Sequence, residues 1–264
     1  MLTNEQVAQF NRDGFLNGGK ILDGARVDVL RDELSRVIDG GDDLDRKPVL
    51  FRNLSGNDNA PVWQIVNIWE ASNAFADLMH HPKIAEDMAQ LTGAQSLRIW
   101  HDQIQFKPAE TGGVNWWHQD APLWPIIAPM TEVSAWVALD DVDESNGCMS
   151  MVPGSHLWGN QIAFLNALDH NNFDGLPAEF EGHAVEIRRC PVQKGEVHYH
   201  HALTWHGSHA NTSGRPRRAV ALHFMTGETR FVASGEHVMK QFVDVADGEL
   251  IQGAHFPVIY SGGK

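Results

Sequence analysis

Cysteine is nearly absent from this chain, with two in 264 residues, Cys148 and Cys190. Two thiols cannot build a disulfide framework, so the expectation is a pair of small buried side chains in a reducing, cytoplasmic setting. Basic charge is also scarce. Twenty Lys and Arg face 34 Asp and Glu, a formal net charge of −14, which disfavours nucleic acid and anionic membrane surfaces as partners. There is no run of about 18 apolar residues, so no membrane-spanning helix is expected. The opening MLTNEQVAQF reads as a helix start rather than a signal peptide, and the closing SGGK is no recognisable address. Internal repeats, low-complexity tracts and a linker are lacking as well. The expectation is one domain over 1–264, long enough to bury a substantial core, working as a monomer or small homo-oligomer.

Histidine and tryptophan, by contrast, are plentiful, at 15 and 9. His198, His200, His201, His206 and His209 fall within twelve residues.

The first third, 1–95, reads as mostly helical. Thr3 and Gln6 form a capping box ahead of Val7 and Phe10, and Gly14 closes that helix. Val27, Leu30, Leu34 and Val37 recur at helical spacing until Gly40-Gly41. The stretch 42–60 is polar and loop-like. Pro61 to His80 looks helical, with Trp63, Val66 and Trp69 as a stripe, and Pro82 opens a further helix closed by Gly93.

The pattern then changes. Ser96–Phe106, Thr131–Leu139, Cys148–Val152, Ala184–Arg189, Glu196–Tyr199 and Arg217–Met225 are short, strand-like and bounded by Gly, Pro or Asn. Such strands suggest a mainly β fold with flanking α-helices, a double-stranded β-helix (jelly roll, cupin-like) over 96–226 with the N-terminal helices packed outside. The irregular stretch 156–182 is long enough to be a lid. Residues 227–264 form a C-terminal extension.

His118-Gln119-Asp120 carries the chemistry. On a strand, His118 and Asp120 share a face, and a distant His206 completes two imidazoles and one carboxylate. That set suits Fe(II) and leaves open positions for a co-substrate and O2. The distal carboxylate of 2-oxoglutarate, a chelating co-substrate, needs a cation, best an arginine. Arg215, Arg217 and Arg218 compete, and strand alternation lets only one of Arg217 and Arg218 point inward. His198, His200, His201 and His209 read as core or surface groups, His201 being the nearest to a wall of the site. Trp116, Trp117, Trp124 and Trp205 flank the ligands, as pocket walls or as packing.

The run Trp117-His118-Gln119-Asp120, then Trp136-Val137-Ala138-Leu139-Asp140-Asp141, Asn146-Gly147-Cys148, Val152-Pro153-Gly154-Ser155-His156, Trp205-His206-Gly207-Ser208 and Arg217-Arg218-Ala219 resemble, in this order, the phytanoyl-CoA dioxygenase (PhyH-like) family. Gln6 to Leu16 matches its N-terminal helix, so the resemblance spans about 3–226. It implies a jelly roll using Fe(II), 2-oxoglutarate and O2, with ascorbate supportive in vitro. It makes His118, Asp120 and His206 the iron ligands and Arg217 the carboxylate clamp, with Arg218 the alternative. It places Ser208 on the same carboxylate, and Gln119, Trp136 and Gln103 along the co-substrate pocket. Related halogenases lack the carboxylate, so an intact Asp120 favours hydroxylation of a C–H bond with release of succinate and CO2. The expected substrate is a small or medium organic metabolite. Segments 156–182 and 121–130 are placed to cap the site. A Zn or Mn hydrolase or isomerase on the same ligands, and a non-catalytic metabolite-binding protein, are the competing readings.

Overall fold

A computed structural model describes residues 1–170 and 172–262. The helix signals of the N-terminal part are realised where spacing and caps agree. Helix α1 (Asn4–Asp13) starts on the Thr3–Gln6 capping box and ends at Gly14, whose φ of 84° suits a residue without Cβ. Between α1 and helix α2 (Gly24–Gly40) lies a strand, β1 (Phe15–Lys20). The stretches read as loop and as one helix contain two more strands, β2 (Leu50–Asn53) and β3 (Trp63–Val66). The Trp63–Val66–Trp69 stripe is therefore not a helix face. Val62, Trp63, Ile65 and Val66 are β-branched or aromatic, and Asn67, at φ 56°, breaks the chain before helix α3 (Ile68–Ala71). Asp102 accepts hydrogen bonds from the Ile68 and Trp69 amides at 2.8 and 3.1 Å, capping that turn from a distant strand. Helices α4 (Asn73–Met79) and α5 (Pro82–Thr92) follow.

The rest is mostly β: β4 (Ser96–Lys107), β5 (Asn115–His118), β6 (Ile127–Ala128), β7 (Val133–Ala138), β8 (Met149–Met151), then a short helix α6 (Ile162–Asn166) and the hairpin β9 (Glu179–Phe180) and β10 (His183–Ala184). After these come β11 (Arg188–Cys190), β12 (Glu196–His201), β13 (His206–Ser208), β14 (Arg217–Thr226), β15 (Arg230–Phe231) and β16 (Val258–Ser261). Among the described residues, the larger sheet has eight strands in the order β1-β12-β7-β14-β4-β3-β2, with β16 also on β4. A smaller sheet of four runs β11-β8-β13-β5. All pairings in both sheets are antiparallel. The result is an open jelly roll.

Alternation on the large sheet sorts the side chains. Val133, Ala135 and Val137 of β7, with Val220, Leu222 and Phe224 of β14, pack outward against Leu30, Leu34, Phe75 and Met88 of the helices. The opposite parity, Trp136 and Ala138 with Ala219 and Ala221, packs with Met149 and Met151 of the small sheet. Polar groups of that same parity form the site described below. The 156–182 stretch contains α6 and β9, which pairs with β10 just beyond it. Its Trp158, Phe164 and Phe180 rings gather on Trp205, with centroids 5.0–5.4 Å away.

Candidate metal centre

Strands β13 and β5 pair so that His206 lies opposite His118. Gly207 permits this approach, because a Cβ there would sit 2.9 Å from the Asn115 carbonyl oxygen. Asp120 lies two residues past the end of β5, where the chain turns into Ala121–Leu123. The three residues offer ligand atoms that all lie within 4.8 Å of one another. Asp120 Oδ1 is 3.6 Å from His118 Nε2 and 3.7 Å from His206 Nε2. The other ring nitrogens are engaged, His118 Nδ1 with the Trp116 carbonyl at 2.6 Å and His206 Nδ1 with that of Thr204 at 2.9 Å. Each bond fixes the tautomer that leaves Nε2 unprotonated and turned to the common centre.

Protonation states suit a metal too. Burial, reinforced by His206, pushes the His118 imidazole down to about 4. Burial also lowers His206, although Asp120 opposes it. For Asp120, burial works against ionisation, yet His206, His200 and His223 together hold its carboxyl well below the usual range. Neutral imidazoles beside an ionised carboxylate need lose no proton to bind a cation. Asp120 Oδ2 is steered by His200 Nε2 at 3.3 Å and Ser134 Oγ at 3.4 Å, and Ser134 in turn bonds His223 Nδ1 at 2.7 Å.

Behind this centre lies a narrow compartment lined by Trp136, Ser208, Arg217, Gln103, Gln105 and Asn115. Arg217 is fully buried. Its guanidinium carbon is 5.0 Å from the centroid of the Trp136 ring, and Nε donates to the Gly147 carbonyl at 3.3 Å. Nη2 reaches Ser208 Oγ at 3.4 Å, while Nη1 is buried with no partner among the described residues. Burial lowers this guanidinium to about 10, which leaves it cationic at neutral pH. A buried, half-satisfied guanidinium fits a carboxylate in the same compartment. Arg218 faces the other way and pairs with both oxygens of Asp140, at 2.8 and 2.9 Å. Arg215 lies outside on Asp143.

Lys107 escaped the sequence reading. It is fully buried, and its Nζ donates to Ser208 Oγ at 2.7 Å and to the Ser208 and His209 carbonyls. The Ser208 hydroxyl hydrogen is left for an acceptor in the compartment. The signal was parity, since Lys107 shares the inward face of β4 with Gln103 and Gln105.

Two expectations need correction. Gln119 does not line the narrow compartment. Its Nε2 donates to the Gly159 and Leu203 carbonyls at 2.9 and 2.6 Å, and its Oε1 accepts from the Gln161 amide at 2.7 Å. It lies past the end of β5, and its side chain turns to the 156–182 stretch instead. His201 is not a wall of the site either. Its ring lies tilted against His156, centroids 5.5 Å apart, on the far side of β12, whereas His200, of the opposite parity, touches Asp120. Of the two readings open for Trp205, packing is what the structure shows, beneath Trp158, Phe164 and Phe180. Trp116, Trp117 and Trp124 do border a cavity of about 660 Å³ that reaches His118 and Asp120. Leu123 and Trp124 from one capping segment and Ile162, Asn166 and His170 from the other close over it. Gln103 stands on the boundary of both spaces.

A model of the phytanoyl-CoA dioxygenase family matches residues 10–219. The chain belongs to that family. Rat peroxisomal phytanoyl-CoA dioxygenase is 25% identical over 188 residues, 66% of this chain and only 54% of the rat enzyme. An ectoine dioxygenase of Bordetella parapertussis is 25% identical over 243 residues, 86% of this chain and 76% of that one. Among solved structures, the epimerase SnoN in complex with Fe3+, alpha-ketoglutarate and nogalamycin RO superposes with a TM-score of 0.78. It is 23% identical, with 97% of each chain covered. At that identity the likeness is one of fold. No helix among the described residues is long and apolar enough to cross a membrane.

Proposed function

We propose that this protein is an Fe(II)- and 2-oxoglutarate-dependent oxygenase that hydroxylates a C–H bond of a small or medium organic metabolite. One observation carries the reading. A two-histidine, one-carboxylate centre with ligand atoms within 4.8 Å adjoins a buried arginine that has an unpartnered nitrogen. Such a centre suits Fe(II) and leaves open positions. The arginine is what distinguishes it from a Zn or Mn hydrolase, which has no use for a buried carboxylate clamp. With iron bound, 2-oxoglutarate and O2 supply the oxidising power, and succinate and CO2 are the by-products.

The protein's own part is orientation. His118 Nε2, His206 Nε2 and an Asp120 oxygen hold the metal, and His200 and Ser134 keep the Asp120 carboxylate from rotating. Arg217 and Ser208 receive the distal carboxylate, with Trp136 as a flat wall beneath the guanidinium. The substrate occupies the 660 Å³ cavity on the His118 and Asp120 side. Trp116 and Trp124 there exclude water from the reacting bond. The two buried free cysteines accord with a reducing, cytoplasmic setting.

The test is succinate formation from 2-oxoglutarate with Fe(II), ascorbate and O2, comparing wild type with His118→Ala. Turnover in wild type and its loss in the variant are expected. Equal rates in both proteins, or none in wild type across diverse metabolites, would sink the proposal.

A further inference from the structure

The cavity in front of the metal centre has an uneven charge. Its lining includes one carboxylate, Asp120 of the centre itself, and one arginine, Arg52, with no other Asp, Glu, Lys or Arg among the described residues that border it. Arg52 lies on β2, opposite Gln64 of β3, which is itself opposite Gln105 of β4. Arg52 Nε donates to Gln64 Oε1 at 2.6 Å, and Gln64 Nε2 donates to Gln103 Oε1 at 2.5 Å. This amide ladder anchors one edge of the guanidinium from the direction of the metal site. The two terminal nitrogens have no hydrogen-bond or ion-pair partner among the described residues.

That is unusual in a chain with net charge −14. Arg31, Arg36, Arg188, Arg189, Arg215 and Arg218 each pair with a carboxylate, and Arg46, Arg98 and Arg230 each donate from a terminal nitrogen to a neutral oxygen. Arg52, an exposed residue, instead lines a cavity, held by Nε and with both terminal nitrogens unpaired among the described residues. A guanidinium held by Nε and open at both terminal nitrogens presents two parallel donors, the geometry that matches a carboxylate. A lone cation does not match the several phosphates of a coenzyme A ester.

We propose that Arg52 binds a carboxylate of the primary substrate, so that the substrate class is a monocarboxylic acid. Its body lies between Trp116 and Trp124, with its polar groups on Gln105, Asn115 and Asn166. The assignment rests on the oxygenase reading, because it concerns the second substrate of that site.

The experiment uses a fixed panel of aromatic and aliphatic monocarboxylic acids, each matched with its primary amide. Phosphate monoesters and acyl-CoA esters form two further arms. Binding is read by thermal shift and titration on the anaerobic protein loaded with Mn(II) and 2-oxoglutarate. The proteins are wild type, Arg52→Lys and Arg52→Gln. Acids are expected to bind more tightly than their amides. That preference should fall about tenfold or more, some 1.4 kcal/mol, in Arg52→Gln, and survive in part in Arg52→Lys. The proposal is overturned by amides binding as well as acids, by Arg52→Gln keeping the preference, by phosphate or CoA esters binding best, or by no acid binding. The affinity for 2-oxoglutarate, measured on the same proteins, separates the two readings. If 2-oxoglutarate itself fails to bind wild type, it is the oxygenase assignment that has failed.

Discussion

The guanidinium of Arg217 lies 5.0 Å over the indole of Trp136, on the inward face of the large sheet. Its sequence neighbour Arg218 is on the outward face with Asp140. Arg217→Ala should therefore weaken 2-oxoglutarate binding to the Mn(II)-loaded protein by about a hundredfold or more, because two charge-assisted hydrogen bonds are lost together. Arg218→Ala should leave that affinity within a few-fold. It should lower the melting temperature only modestly, since Arg31 still holds Asp140 at 2.5 Å. Anaerobic titration calorimetry decides, and the opposite ranking would reassign the clamp.

Gln119 ties the chain just after β5 to the 156–182 stretch. Replacing it with alanine leaves the Gly159 and Leu203 carbonyls and the Gln161 amide without their partner, at a cost of about 1–3 kcal/mol for each group that water cannot reach. Hydrogen exchange over 159–166 should quicken, and Gln119→Glu should be worse, since it sets a carboxylate against two carbonyl oxygens. Unchanged exchange in the alanine variant would refute the coupling.

Gly207 sets the separation of β13 from β5. In Gly207→Ala the new methyl meets the Asn115 carbonyl, so the strands part and the His118–His206 pair opens. Fe(II) affinity, followed by the metal-dependent rise in melting temperature, should drop at least tenfold. A variant that binds Fe(II) like wild type would show that the small sheet yields more easily than its packing implies.

Buried ionisable groups set the pH response. Burial, with His200 and His206 nearby, pushes His198 down to about 3. The unfolded chain takes up the proton from about pH 6.5 downward, which the fold refuses, so stability falls as pH drops from there towards 3. Glu132 works in the other direction. Burial first, then the charge of Asp120, raises its carboxyl to about 8, and neither oxygen has a partner among the described residues. The fold keeps a proton that the unfolded chain releases above about 4.3, so stability declines as pH rises towards 8. Glu132→Gln carries no charge at any pH. Its melting temperature should match wild type near pH 5 and exceed it by several degrees near pH 8.5. Parallel curves for the two proteins would exclude a buried, protonated Glu132.

Much of this molecule was legible from local patterns. The Thr3–Gln6 box, the Val27–Val37 stripe and Pro82 to Gly93 each carry their own start, face and stop, so α1, α2 and α5 were readable. His118, Asp120 and His206 could be named because the i, i+2 spacing and the distant histidine are properties of the chain. Strand parity allowed only one of Arg217 and Arg218 inward, and the family resemblance favoured Arg217.

Other features exist only through long-range pairing. Strands β2 and β3 are strands because β4 offers a free edge, and that placement puts Arg52 on the cavity instead of in a loop. Whether parity carries Arg217 or Arg218 inward, and His200 in place of His201, depends on which face of each strand the helices cover. Gln119 was misplaced because it lies past the strand, where alternation no longer applies, and its partners at 159, 161 and 203 are far away in sequence. Residue types and spacing determine which chemistry is available. Tertiary packing decides which side chains meet it, since burial on one face of a sheet is what gives alternation its direction.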